Sequence, residues 1–221
     1  MRYSILFLSL LAIFSACKNK GEQLQKGDLL FQDIDCGPLC DAIETVTTGI
    51  NGAHFSHIAI VVETGDSTIL LEAIGKKVKL TKLEDFLARS TDGNGLPKVW
   101  VGRLKPTYKK NLCQAIENAK TFLGAPYDDA FLPDNNKYYC SEIIALAFND
   151  AMGDKSFFPL IPMTFIDPSN GKTFPVWEEY YQKLGIPVPE GIVGINPGAI
   201  SISDKIEIVF KYGDPSGLDL K

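Results

Sequence analysis

Between residues 27 and 103, apolar residues gather in short runs that alternate with polar ones and are bounded by glycine, asparagine and aspartate. That spacing predicts strands rather than helices. Gly27-Asp28-Leu29-Leu30-Phe31-Gln32 reads as a turn into a short strand, and Ser56–Glu63 and Thr68–Ile74 as two β-rich runs joined by a hairpin loop. Val78–Leu80 and Val99–Arg103 add two more strands, and Ile206–Phe210 supplies a last one near the end of the chain. Helical spacing appears in four places. Cys40–Gly49 carries Ile43 and Val46 on one side, Leu83–Arg89 turns Leu83, Phe86 and Leu87 inward, and Tyr108–Phe122 presents Leu112, Ile116 and Ala119 before Gly124. The fourth, Tyr138–Met152, repeats apolar residues at Ile144, Ala147, Phe148 and Ala151, the signature of a helix with one buried face. Phe157–Pro197 is rich in proline, with Trp177, Tyr180 and Tyr181 on a short helix, and reads as a long wrapping segment rather than a second domain.

The hairpin has a consequence for chemistry. If its loop is two residues (Gly65-Asp66) or four (Thr64–Ser67), Ala59 faces Glu72 and His57 faces Ile74. Glu72 then lies diagonal to His57 on the same face, roughly 7–8 Å away at the backbone, a gap that a glutamate and an imidazole bridge. A loop of odd length would put them on opposite faces. His54, three residues earlier, points to the other face of an extended chain, so His57 is the preferred base.

Cys140 sits in the first turn of the Tyr138–Met152 helix. The unpaired N–H groups and positive dipole end there favour an anion, which is where a nucleophilic thiolate belongs. The competing reading is a small buried core residue. A cysteine hydrolase needs a thiolate, a histidine that takes and returns its proton, a group that orients the imidazole, and donors for the oxyanion. Cys140, His57, Glu72 and the backbone N–H groups around Cys140 supply one of each.

Composition narrows the field. The 221 residues are 45% hydrophobic and carry a formal charge of −5 with no basic stripe, which suits one globular domain and disfavours nucleic acid as a partner. Met-Arg-Tyr-Ser followed by the apolar run Ile5–Phe14 is too short to span a bilayer and reads as a signal peptide. Phe14-Ser15-Ala16-Cys17 resembles a bacterial lipobox, so residues 1–16 are expected to be removed, Cys17 lipidated, and residues 17–25 left as a polar tether to a domain at 26–221. An ordinary secretory signal cut near Ala16 is the alternative. Lys18 in place of aspartate points to the outer membrane, with the domain in the periplasm. Of the other cysteines, Cys113 lies beside Leu112 and Ile116 and reads as core. Cys36 and Cys40 either close a small loop or are unrelated thiols, and without nearby histidine they do not make a zinc site.

Taken in order, Gly27-Asp28-Leu29-Leu30-Phe31, Phe55-Ser56-His57-Ile58-Ala59-Ile60-Val61, Leu71-Glu72-Ala73, Gly124-Ala125-Pro126-Tyr127-Asp128 and Tyr138-Tyr139-Cys140-Ser141-Glu142 resemble the YiiX/YebB-like cysteine hydrolases. These form a circularly permuted branch of the NlpC and papain-like superfamily, in which the histidine strand precedes the cysteine helix. The resemblance implies an α+β fold, an antiparallel sheet packed against the nucleophile helix. It also implies Cys140 as nucleophile, His57 as base and acid, Glu72 as the imidazole's partner, and Tyr138 or Tyr139 lining the site or donating to the oxyanion. Asp28 and Asp128 stand at family-like positions with structural roles. The implied reaction is cleavage of an amide in a cell-wall peptide or N-acyl amino acid, with no metal or organic cofactor. A lipid-directed acyltransferase or esterase and a non-catalytic binding module are the alternatives. A broad apolar groove would favour the lipid, and a polar cleft with charged anchors the peptide.

Overall fold

The computed structural model describes residues 23–218. The expected signal peptide, the expected lipidation site Cys17 and most of the expected tether therefore lie outside the described residues. In chain order the elements are β1 (Leu29–Gln32), α1 (Pro38–Val46), β2 (His57–Glu63), β3 (Ile69–Ile74), β4 (Lys77–Lys82), α2 (Leu83–Leu87), β5 (Val99–Leu104), α3 (Leu112–Thr121) and α4 (Cys140–Met152). There follow β6 (Ile161–Pro162), β7 (Ile166–Asp167), β8 (Lys172–Thr173), α5 (Pro175–Leu184), β9 (Val193–Gly194), α6 (Pro197–Ser201) and β10 (Ile206–Lys211). Six strands form one antiparallel sheet in the order β10-β5-β1-β2-β3-β4. β6 pairs with β9, and β7 with β8, as two small ribbons within the proline-rich segment.

Both faces of the sheet are covered, which is why β1 and β2 read as apolar runs rather than strict alternation. Leu29, Phe31, Ile58, Ile60 and Leu71 belong to a core with Ile144, Ala147 and Phe148 of α4 and Ala115 and Ala119 of α3. Leu30, Ala59, Val61 and Leu70 point the other way, onto Phe86 of α2. α4 ends at Gly153, whose left-handed φ of 63° closes the helix without a Cβ penalty.

The hairpin register holds where it matters: Ile60 pairs with Leu71 and Val61 with Leu70, as expected. The loop differs. Glu63 pairs with Ile69, leaving five residues between them, and a bulge between Val61 and Glu63 absorbs the odd residue so that side-chain parity survives. The expected Tyr108–Phe122 helix divides into a 3-10 turn at Pro106–Asn111 and α3. Cys113 is a correction: it is exposed, not core. α3 buries Ala115, Ile116 and Ala119, and at about 100° per residue Cys113 falls to the side of that stripe.

Cys36 and Cys40 are joined in a disulfide across the start of α1. Asp28 receives two hydrogen bonds of 2.7 Å from Arg103 and tethers β1 to β5. Asp128 accepts from the N–H groups of Ala130 and Leu132 and from Asn135, fixing the loop that leads to α4. Both aspartates thus have the structural roles expected of them.

Loop-closure entropy for so short a bridge is about 2 kcal/mol. The Cys36→Ser/Cys40→Ser variant should lose about that much stability in denaturant titration against the oxidised wild type. Equal midpoints would show that the bridge does not restrain the unfolded chain.

Candidate functional site

His57 is the first residue of β2, and its side-chain parity places it with Ala59 and Val61 on the face covered by α2. α4 packs on the opposite face. Because His57 stands at the end of its strand, the ring lies at the sheet's margin, where the start of α4 reaches it. Nε2 lies 2.7 Å from Glu72 Oε2, and Cys140 is near enough to the ring to favour its protonated form. The structure therefore brings Cys140, His57 and Glu72 together. His54 is elsewhere, 3.3 Å from the Ser216 hydroxyl.

All three side chains are nearly removed from water: Glu72 is 0% exposed, His57 4% and Cys140 6%. Burial alone would discharge both ions of the His57–Glu72 pair. For His57, burial is the largest influence and works against the imidazolium, but the nearby Cys140 and the hydrogen bond to Glu72, with the charges of both, outweigh it and lift the ring to about 9. For Glu72, burial is again the largest influence, and hydrogen bonds from Arg89, His57 and Thr81 overcome it, holding the carboxyl far below the usual range. Thr81 Oγ1 donates to Oε1 at 2.5 Å and Arg89 Nη1 to Oε2 at 2.7 Å, while Arg89 Nη2 donates to Oε1. Neither Thr81 nor Arg89 carried a signal in the sequence; Arg89 lies two residues past α2, and only the tertiary fold takes it to Glu72.

α4 begins at Cys140, so the N–H groups of its first turn have no intrahelical partner. The Glu142 carboxyl accepts from Tyr139 N at 3.4 Å, and Ser141 Oγ donates to the Ile195 carbonyl at 2.8 Å, anchoring the turn to the segment after β9. Tyr139 lines the site, and its hydroxyl accepts from Ile195 N at 3.1 Å. A Cβ at Gly194 would lie 2.4 Å from the Met163 sulfur and 2.8 Å from the Tyr139 hydroxyl, so a larger residue there would displace those side chains. Tyr138 does not line the pocket. Its ring packs on Phe122 with centroids 4.6 Å apart, because consecutive residues of the extended chain before α4 face opposite ways.

Cys140 opens into a pocket of about 130 Å³. Its walls are Ile43 and Val46 of α1, Phe131, Met163, Phe165 and Trp177, with Ser56, Thr47 and Asn196 as polar points and no charged side chain. Tyr127 also faces it; burial, then the negative charge of Cys140, raises its hydroxyl well above the ordinary tyrosine range. The proline-rich segment and α1 thus build the wall opposite α4, a role that their sequence patterns did not suggest.

A family model described as a permuted papain-like amidase enzyme, YaeF/YiiX, C92 family, matches residues 23–210. The uncharacterized protein YiiX of Escherichia coli (strain K12) is 31% identical over 153 residues, covering 69% of this chain and 70% of that protein. A crystal structure titled as metalloprotein yiiX from Escherichia coli O157:H7 has a TM-score of 0.66 at 25% identity, covering 86% of this chain and 98% of that one.

Glu142 gives a pH prediction. Burial, with the charges of Asp128 and Asp134, outweighs the hydrogen bond from Tyr139 and raises its carboxyl from 4.5 to about 8. The folded state then holds a proton that the unfolded state releases, so stability from this group falls as pH rises from 4.5 to about 8. Glu142→Gln should match wild type near the lower end and exceed it by on the order of 1 kcal/mol above the upper end, in denaturant titrations at each pH. Parallel curves would contradict the raised carboxyl.

Proposed function

The chain belongs to the permuted papain-like amidase family of YaeF and YiiX, and we propose that it is a cysteine-dependent amidase with Cys140 as nucleophile. In this reading the Cys140 thiolate attacks the amide carbonyl, and the first-turn N–H groups of α4 receive the oxyanion. His57 gives its proton to the leaving amine as the C–N bond breaks, leaving a thioester on Cys140. Water, deprotonated by His57, then attacks the thioester; the acid leaves and the thiolate re-forms. Glu72 holds the imidazole by Nε2, leaving Nδ1 for the sulfur. The observation that carries the reading is the buried His57–Glu72 pair beside a cysteine at a helix start.

The pocket supports one substrate class over another. Its apolar walls suit an acyl group or bulky apolar side chain on the carbonyl side of the scissile bond, so an N-acyl amino acid fits better than a charged cell-wall peptide. The same walls favour a second reading, cleavage or transfer of a lipid acyl ester through the same thioester. Delivery to the cell envelope through a lipidated Cys17, with residues 26–221 as one periplasmic domain, belongs to the proposal and suits either substrate. The related crystal structure is titled a metalloprotein, but among the described residues of this chain no three His, Cys, Asp or Glu side chains are grouped to hold a metal ion. No step is assigned to a metal here.

Incubation with N-acyl amino acid anilides and with matched acyl esters should leave an acyl adduct on Cys140, detected by intact-protein and peptide mass spectrometry. His57→Ala should slow its formation about 10²–10⁴-fold, and Cys140→Ala should abolish it. Faster turnover of the anilides than of the esters, relative to their uncatalysed rates, supports the amidase. Hydrolysis that survives Cys140→Ala would sink the nucleophile assignment.

A further inference from the structure

Glu72 is held by more than its histidine. Its two oxygens receive Arg89 as a fork, Nη1 to Oε2 and Nη2 to Oε1, along with Thr81 and His57. Arg89 is fixed for this task. Its guanidinium lies 5.1 Å above the Phe86 ring, the same ring that packs 5.9 Å from His57. Gln32 Nε2 donates to the Phe86 carbonyl at 2.7 Å, and Ser90 Oγ donates to the Asp33 carbonyl, so the end of β1 holds both sides of the strap that carries Arg89.

Counting charge shows what the fork is for. A thiolate, an imidazolium and a carboxylate in a row carry a net charge of −1, in a place where Glu72 meets no water at all. A lone buried charge is removed by taking up a proton, here by Glu72 or the sulfur. Arg89 adds the second positive charge and brings the row to zero. The groups facing Glu72 are His57 on β2, Thr81 and Lys79 on β4, Arg89 behind it and, through the ring, Cys140 on α4. Lys79 is the cross-strand neighbour of Glu72, but among the described residues only Arg89 and His57 come within ion-pairing distance of it.

We propose that Arg89 is a positioning residue for the reaction: the half-buried counter-ion that lets the Cys140 thiolate, the His57 imidazolium and the Glu72 carboxylate be ionised together. The assignment rests on the amidase reading above and gives it a fourth member, acting through Glu72 rather than on substrate. It separates charge from shape. Arg89→Gln keeps donors near Glu72 but loses the charge; Arg89→Lys keeps the charge but loses the fork.

The test is the ultraviolet absorbance of the thiolate, titrated against pH on the full chain, with the matching Cys140→Ser protein as blank for each variant. Arg89→Gln should move the midpoint of Cys140 ionisation up by at least about one pH unit, a tenfold loss of thiolate at fixed pH. Arg89→Lys should stay within about half a unit of wild type, because its charge is retained. Should Arg89→Gln fail to fold, Glu72→Gln/Arg89→Gln removes both opposite charges together and should also stay within about half a unit. An unchanged midpoint in Arg89→Gln, or a full-unit rise in the double variant, overturns the counter-ion role and leaves the amidase reading standing. A wild-type Cys140 that titrates like Cys113 overturns both.

Discussion

A carboxylate with no exposure to water, set on the strand beside the edge of a six-stranded sheet, is the constraint around which this site is arranged. Left alone, Glu72 would take up a proton and lose its hold on His57. The fold supplies four donors to it from three directions: β2 gives His57, β4 gives Thr81, and the strap after α2 gives both arms of Arg89. Each donor depends on a different piece of architecture, namely the β2–β3 register, the β3–β4 pairing and the packing of Phe86 beneath the sheet. Breaking such a buried pair from one side leaves an uncompensated charge, so these contacts stand or fall together.

The half of the site that alternates with the strands was readable from the sequence. Side-chain parity in Ser56–Glu63 and Thr68–Ile74 puts His57 and Glu72 on one face, and the helical repeat beginning at Tyr138 puts Cys140 at a helix start. The loop count was wrong and the register right, because the bulge near Val62 compensates for a fifth loop residue. Arg89 was hidden because nothing in a local pattern distinguishes a surface arginine after a short helix from one that turns inward. Cys113 was misplaced by one residue's rotation about α3, an error inherent in judging a helical stripe from two apolar neighbours. Tyr138 or Tyr139 was expected to line the site; Tyr139 does, and Tyr138 packs on Phe122 instead, while Tyr127, which had no assigned role, lines the pocket beside Cys140.

The pocket belongs to the parts of the chain with the weakest signals. α1, pinned at its start by the Cys36–Cys40 bridge, and the proline-rich segment with Trp177 meet only in three dimensions, and together they face α4 with apolar walls. In the proposed reaction, catalysis and specificity are thereby divided. The sheet and α4 carry the ionic groups, and the later, irregular segment shapes what is admitted.

The central claim is that Cys140 reacts as a thiolate maintained by His57, and burial makes it sharply testable. Cys113 is exposed and Cys140 is 6% exposed, so access alone favours alkylation of Cys113. Rates of iodoacetamide labelling at each site near neutral pH, read by peptide mass spectrometry in the wild type and in His57→Ala, compare access with ionisation directly. The account predicts that Cys140 is labelled faster than Cys113 despite its burial, and that His57→Ala slows Cys140 while leaving Cys113 unchanged. Labelling of Cys140 that is slower than Cys113, or indifferent to His57, would contradict it.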